Sequence, residues 1–130
     1  MSEDLMKEAL KMMPYGFYAI TSRSGDDVNA MVANWVLQSA FEPRQMTLAI
    51  QKTCYSRGLI EKGGVFCVNI FRKEDEESIK PFTKGRAKNP DKMKDAEFTE
   101  APETGCPSIG GFRCFCRMQG GTDHRHRIGP

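Results

Sequence analysis

Hydroxyl and basic side chains cluster in the segment Lys52-Thr53-Cys54-Tyr55-Ser56-Arg57. A half-buried strand pattern gives way there to a predicted helix start, so free backbone N–H groups are expected beside these side chains. Hydroxyls, cations and free N–H groups together suit a phosphate monoester. An ordinary helix N-cap with surface charges fits the same residues, and from this segment alone it is the favoured interpretation.

Amide side chains interrupt an apolar extended segment at residues 28–39. Asn is depleted in strands, and a buried amide needs a hydrogen-bond partner. With a period of two, Asn34 and Gln38 share one face, whereas Asn29 falls on the other face with Trp35 and Leu37. Amides that face water and amides that face a ligand explain this pattern about equally well, so both interpretations stay open.

The two histidines lie in the segment Asp123-His124-Arg125-His126 near the C-terminus. Two imidazoles and a carboxylate can bind a metal, but the spacing matches no standard zinc pattern, so we expect a solvated tail and no metal. Nucleophile-elbow, phosphate-loop and dinucleotide-binding glycine motifs are absent from the sequence. The five cysteines form no C-x-x-C pair, which predicts free thiols in a reducing compartment.

The chain length of 130 residues predicts a single domain over residues 1–130. A hydrophobic fraction of 39% and a charged fraction of 28% are typical of a globular protein rather than a membrane or disordered one. Acidic residues follow Met1 where a secretion signal would be basic, so we expect a cytoplasmic protein. The net charge of +2 is small, and no aromatic residues interleave the bases of residues 84–94, so we expect no nucleic-acid binding.

Hydrophobic periodicity predicts the elements that position these residues. A helix over residues 2–13 has Ser2 as its N-cap and Pro14 as its stop, and its Met-rich face is interpreted as packing. A second helix begins at Thr53 or Ser56 and ends at Gly63-Gly64. A charged helix spans residues 75–82, and a long basic loop with some helix spans 84–104. Strands are predicted at residues 16–23, 28–39, 46–50, 65–70 and 112–118, which together favour a mainly β fold, a closed or partly closed β-barrel.

Taken in order, several segments resemble the flavin reductase-like family, whose fold is the FMN-binding split β-barrel. The resemblance covers most of residues 14–107. It is carried by these segments: 16–23 (GFYAITSR), 29–35 (NAMVANW) with Ser39 and Pro43, 52–56 (KTCYS) with Leu59-Ile60, 66–70 (FCVNI), Phe82 with the basic stretch to Lys92, Gly105-Cys106-Pro107, and 121–124 (GTDH).

The resemblance implies that FMN lies at a homodimer interface. The isoalloxazine ring and ribityl chain would be flanked by Ala33, Asn34, Trp35, Gln38 and Ser39. The phosphate end would be held by Lys52, Thr53, Tyr55 and Ser56. His124 would be the counterpart of a family histidine near the flavin and nicotinamide, and Asn69 is interpreted as structural.

The implied function is that of an FMN-dependent oxidoreductase that reduces flavin with NADH or NADPH. The alternative is an FMN-holding electron carrier that a partner protein reduces. In both cases the cofactor carries the redox chemistry, so an acid–base triad is not required.

The C-terminal segment departs from the family pattern. Thr122 stands between Gly121 and Asp123, and Ser108 to Gln119 lacks the expected apolar alternation. Family members usually continue with a further barrel strand, whereas only six residues follow His124 here. We therefore expect a truncated chain or an altered sequence over the last ~20 residues, which would leave an open sheet edge and a partner-dependent or inactive fragment.

Overall fold

The computed structural model describes residues 2–109, 112–119 and 127–129. The first helix, α1, spans Glu3–Lys11, and the Ser2 hydroxyl accepts a hydrogen bond of 3.3 Å from the Leu5 N–H, as the sequence predicts. Acidic residues in its first turn and Lys11 in its last turn complement the helix dipole. The packing interpretation of its Met-rich face is wrong for the single chain, because no residue of α1 is buried.

The strands β1 to β4 span Tyr18–Ser24, Asp27–Ala33, Val36–Ala40 and Gln45–Leu48. Gly25, at φ 61°, makes the tight turn between β1 and β2. The strand predicted over residues 28–39 is wrong in its continuity, because the chain leaves β2 after Ala33 and starts β3 at Val36.

The remaining elements alternate short helices and strands. Helix α2 spans Tyr55–Gly63 and ends on Gly64 at φ 70°, a left-handed cap that the Gly-Gly pair predicts. The predicted helix at 75–82 is wrong in its continuity, because α3 covers only Glu76–Ile79 and is flanked by 3₁₀ turns at Lys73–Asp75 and Lys80–Phe82. Pro81 has no N–H group to continue the α-helical hydrogen bonds. Residues 84–98 form turns and extended backbone without helix. The later elements are β5 (Val65–Ile70), α3 (Glu76–Ile79), β6 (Thr99–Glu100), β7 (Pro107–Ser108), β8 (Phe112–Gln119) and β9 (Arg127–Gly129).

Seven of the strands form one antiparallel sheet in the order β2-β1-β5-β8-β9-β4-β3. The two outermost strands, β2 and β3, follow each other in the chain with only Asn34 and Trp35 between them. The two edges of the sheet must therefore approach each other, so the sheet curls. The mainly β class with a few helices is confirmed; within the described ranges no ladder joins β2 to β3.

The composition of the buried core agrees with a curved sheet. One buried cluster joins Ile20 of β1, Ala33 of β2 and Leu48 of β4 with Phe66 and Val68 of β5. Strands from both ends of the sheet thus contribute to a single apolar interior, and Ile60 of α2 closes it on one side. In the part of the chain that the structure describes, no helix is long and apolar enough to cross a membrane.

Asn69 ties a later segment to the middle of the sheet. Its side chain is fully buried, and its amide nitrogen donates to the Ala19 carbonyl at 3.1 Å. Its carbonyl oxygen accepts from the Ile109 N–H at 3.1 Å. Both polar atoms of the Asn69 side chain are therefore hydrogen-bonded to backbone groups of the protein. These contacts agree with the interpretation of Asn69 as a structural residue.

Gly63 at the end of α2 packs directly against β1. A Cβ at this position would lie 2.0 Å from the Arg23 carbonyl oxygen, so Gly63→Ala forces backbone to move. We expect a loss of about 2 kcal/mol in the free energy of unfolding, as for other overpacked sites.

Gly58 in the same helix is the matched control for this substitution. A Cβ there meets nothing within 4 Å. Gly58→Ala should raise the free energy of unfolding by about 0.5–1 kcal/mol, because alanine is the better helix former. Urea unfolding of both variants checks the pair, and equal effects would contradict the close packing of α2 on β1.

Candidate functional site

A pocket of about 310 Å³ lies at the seam where the two ends of the sheet approach each other. One wall is the end of β2 with the Asn34-Trp35 link, and the other is the segment from Ala49 to Cys54 that leads from β4 into α2. The Ala49 N–H donates to the Trp35 carbonyl at 3.0 Å and holds the walls together. The size falls at the lower end of the range for small-molecule sites.

The pocket lining is apolar with a few amides. Met31, Val32, Ala33 and Ile50 supply aliphatic surface, and the indole of Trp35 stands at the mouth with 62% of its surface exposed. Asn34 and Gln51 also line the pocket, and within the described ranges neither side-chain amide has a hydrogen-bond partner. This combination can hold a flat, mostly apolar ring and still bond to polar atoms at its edge.

The N-terminus of α2 opens beside the pocket. Cys54 is the N-cap residue and lines the pocket, but its side chain makes no capping hydrogen bond. The Arg57 N–H donates to the Cys54 carbonyl at 3.1 Å, so the N–H groups of Tyr55 and Ser56 are the ones that keep their capacity to donate.

Tyr55, the first residue of α2, is tied to the basic loop. Its hydroxyl donates to the Asp27 carboxylate, and this bond is the main reason that the pKa of Tyr55 is raised. The Arg86 guanidinium lies 4.3 Å from the centre of the Tyr55 ring and donates to Asp27 at 3.2 Å. Arg86 also donates to the Val28 carbonyl at 3.0 Å, so the loop is anchored to β2.

Ser56 faces the interior of the protein. It is fully buried, and its hydroxyl oxygen accepts a hydrogen bond of 2.9 Å from the amide nitrogen of Asn29. The carbonyl oxygen of Asn29 is buried without a partner in the described part of the chain. For Asn29, the interpretation that the amides of this segment face water is therefore wrong.

Lys92 is a functional candidate that the sequence does not distinguish from the other bases of residues 84–94. Only 3% of its surface is exposed, and its ammonium donates to the Lys84 carbonyl at 3.2 Å. Burial lowers its pKa, and its charge interacts with the Cys54 thiol and with Arg86. No carboxylate pairs with it among the described residues, which leaves a buried cation near the start of α2 without a counter-charge.

The structure brings some of the predicted site residues together and separates others. Ala33, Asn34 and Trp35 line the pocket. Lys52 and Thr53 lie on the segment that forms the far wall, just before α2, and their side chains are exposed. Gln38 and Ser39 lie farther along β3 with exposed side chains, and the Gln38 amide donates to the Ala40 carbonyl.

His124 and the rest of the Asp123–His126 segment lie outside the described residues. Among the residues whose placement the structure gives, no cluster of histidine, cysteine and carboxylate side chains could hold a metal ion. Within the described ranges, Cys54, Cys67 and Cys106 form no disulfide.

Residues 10–129 match the family model described as "Flavin reductase like domain". The chain belongs to the flavin reductase-like family. The match includes the whole pocket, α2 and the basic loop that carries Lys92, and it confirms the resemblance read from the sequence.

Diflavin flavoprotein A 3 of Nostoc sp. is 29% identical to this chain over 115 residues, which are 88% of the chain and 20% of that protein. The chain thus spans about a fifth of the length of this relative. Flavoredoxin of Desulfovibrio vulgaris superposes with a TM-score of 0.75 at 18% identity, over 89% of this chain and 66% of that one. The NADH:FAD oxidoreductase of Streptomyces globisporus gives 0.79 at 18% identity, over 98% and 80%. These two likenesses show the fold.

The unpaired charge of Lys92 predicts an anion effect on stability. Phosphate that binds the native state should raise the melting temperature of the protein by mass action. In Lys92→Met this gain should fall by at least half, whereas Lys94→Met should keep it, because the Lys94 side chain is 79% exposed and pairs with Asp91. Thermal unfolding in matched phosphate and chloride buffers measures this rise in melting temperature. An unchanged rise in Lys92→Met would contradict an anion site at Lys92.

The lowered pKa of Lys92 predicts a pH dependence as well. Its usual pKa of 10.5 applies to the unfolded chain, which therefore holds the proton more tightly than the folded protein. The free energy of unfolding should rise as pH increases from the folded-state pKa toward 10.5, and Lys92→Met should lose this rise. Urea unfolding across alkaline pH checks the slope, which Lys94→Met should retain.

Proposed function

We propose that the seam pocket binds FMN, with the flavin ring against Ala33, Asn34 and Trp35 and the phosphate at the N-terminus of α2. The observation that carries the proposal is the adjacency of two unlike surfaces: an apolar, amide-lined pocket and an uncapped helix start near a buried, unpaired cation. A phosphorylated ring system needs both surfaces side by side.

The ring end of the site excludes water with aliphatic side chains. The free amides of Asn34 and Gln51 can donate to and accept from the polar edge of the ring. Gln38 and Ser39, which lie farther along β3, are proposed as contacts of the ribityl chain or of the second subunit.

The phosphate end combines mobile and fixed donors. Lys52 and Thr53 are exposed and can turn toward an anion, whereas the first N–H groups of α2 have fixed directions. Ser56 is fully buried and its hydroxyl accepts from Asn29, so its proposed role is to hold the first turn of α2 in place. Tyr55 and Arg86 hold the basic loop against β2, and Lys92 adds buried positive charge.

The proposed activity is that of a flavin oxidoreductase that accepts a hydride from NADH or NADPH. When bound, FMN supplies the redox chemistry, and the residues of this chain bind it, orient it and keep water from the ring. His124 is proposed to lie near the flavin and nicotinamide, as the family resemblance implies. Because the cofactor would carry the hydride chemistry, the protein does not need an acid–base triad.

The proposed assembly is a cytoplasmic homodimer of split β-barrels with FMN at the interface. The exposed indole of Trp35 supports it, since a second chain at the mouth would remove that apolar surface from water. The short link between the outermost strands supports the split-barrel description, because it brings the sheet edges to one seam.

An electron carrier is the second candidate function. The similarity to a much longer diflavin flavoprotein favours it, because this domain would there be one part of a larger redox protein. A carrier would take its electrons from a partner protein and would not oxidise NADH or NADPH itself.

Anaerobic mixing of the FMN-loaded protein with NADH or NADPH distinguishes the two functions. Direct hydride transfer predicts bleaching of the flavin absorption band with at least one of the nucleotides. If neither NADH nor NADPH bleaches the band but a chemical reductant does, the result would contradict the oxidoreductase and favour the electron carrier. Protein that stays colourless after FMN addition and desalting would count against both.

Lys52→Ala tests the phosphate end of the site. FMN affinity should fall about tenfold, as the loss of one charge-assisted hydrogen bond predicts, while riboflavin affinity stays the same because riboflavin has no phosphate. Lys62→Ala is the control, since this exposed lysine lies in the last turn of the same helix. Titration by flavin fluorescence measures both ligands, and equal losses for FMN and riboflavin would refute the role of Lys52.

A further inference from the structure

The N-terminal segment presents apolar side chains that are exposed in the part of the chain that the structure describes. No residue of α1 is buried, and its charged side forms the pairs Lys7–Glu3 at 2.8 Å and Lys11–Glu8 at 3.2 Å. The segment will be called the apolar arm, and its exposed side chains are Leu5, Met6, Leu10, Met12, Met13, Tyr15 and Phe17, each half or more exposed. A nine-residue helix is marginal in water by itself.

The size of this surface suits a protein interface. The seven side chains expose on the order of 900 Å², which exceeds the roughly 300–600 Å² of the largest apolar patch on a typical monomer. It is close to the ~800 Å² that one partner contributes to a standard interface. The arm therefore has the area to dock on another surface.

A second exposed apolar surface begins with Trp35 at the pocket mouth and continues along β3 to Phe41, just beyond its end. It will be called the pocket rim and consists of Trp35, Leu37 and Phe41, which are 62%, 57% and 78% exposed. Tyr18, the first residue of β1, pairs with Ala33 of the pocket, so the arm leaves the sheet at the same end. In the single chain the arm leaves its own rim uncovered.

We propose that the apolar arm of one copy docks on the pocket rim of a second copy, so that each subunit covers the mouth of the other's flavin pocket. This rests on the proposed homodimer and names the surfaces that form it. A two-fold exchange places one arm on each rim, so the same contact forms twice, as an isologous interface requires. The family match begins at residue 10, so most of α1 lies outside the matched residues.

Paired substitutions on the two faces of α1 test the docking surface. Met6→Gln with Leu10→Gln makes the apolar face polar, and Lys7→Gln with Lys11→Gln introduces the same residues one position along, on the charged face. Sedimentation without flavin measures the dissociation constant of the dimer. The first pair of substitutions should raise this constant at least tenfold, and the second pair should change it less than twofold. A monomeric wild-type protein, or equal effects of the two pairs, would overturn the proposal.

Photo-crosslinking locates the surface that the arm meets. A photoreactive amino acid replaces Leu10 in unlabelled chains, which are then mixed with isotope-labelled wild-type chains. The expected products join position 10 of one isotope to a peptide with residues 35–41 of the other. Products confined to one chain, or joined elsewhere, would overturn the exchange. Neither test uses flavin, so a failure to bind FMN would refute the proposed function without bearing on these results.

Discussion

The two-residue link between β2 and β3 is the constraint on which the rest of the structure depends. These strands are the two edges of a seven-stranded sheet, yet only Asn34 and Trp35 separate them in sequence. A flat sheet would hold these two strands too far apart for a two-residue link, so the sheet curls until its edges approach each other and share one core. The hydrogen bond from Ala49 to Trp35 fixes the seam, and the pocket is the space that remains beside it.

The charged part of the site is assembled from three distant parts of the chain. The link follows β2, the helix start follows β4, and Lys92 arrives on the loop that Arg86 anchors to Asp27 and Tyr55. A buried ammonium without a carboxylate costs free energy in the empty protein. An anionic ligand beside Lys92 would offset that cost, so under the proposed function the residue that weakens the empty fold would strengthen the binding of the phosphate.

Local patterns predicted the elements that have strong local signals. The strand Val65–Ile70 and the helix end at Gly64 agree with the structure because a continuous apolar run and a left-handed glycine are both local features. The break at Asn34-Trp35 was missed because neither residue is a glycine or proline and both continue the extended pattern. Where a loop folds back is a tertiary property, so Lys92 and Lys94 look alike in sequence although one is buried and the other exposed. The Met-rich face of α1 is another case, because periodicity predicts an apolar face but not whether its own chain covers it.

The most direct test of flavin binding at the seam is an NMR titration of isotope-labelled apo-protein with FMN and, separately, with riboflavin. Both ligands should shift the amide signals of residues 31–35 and 49–51 and the indole N–H of Trp35, the one tryptophan of the chain. Only FMN should strongly shift residues 52–56, because only FMN carries the phosphate. Unchanged signals at 31–35 with either ligand bound would contradict the account.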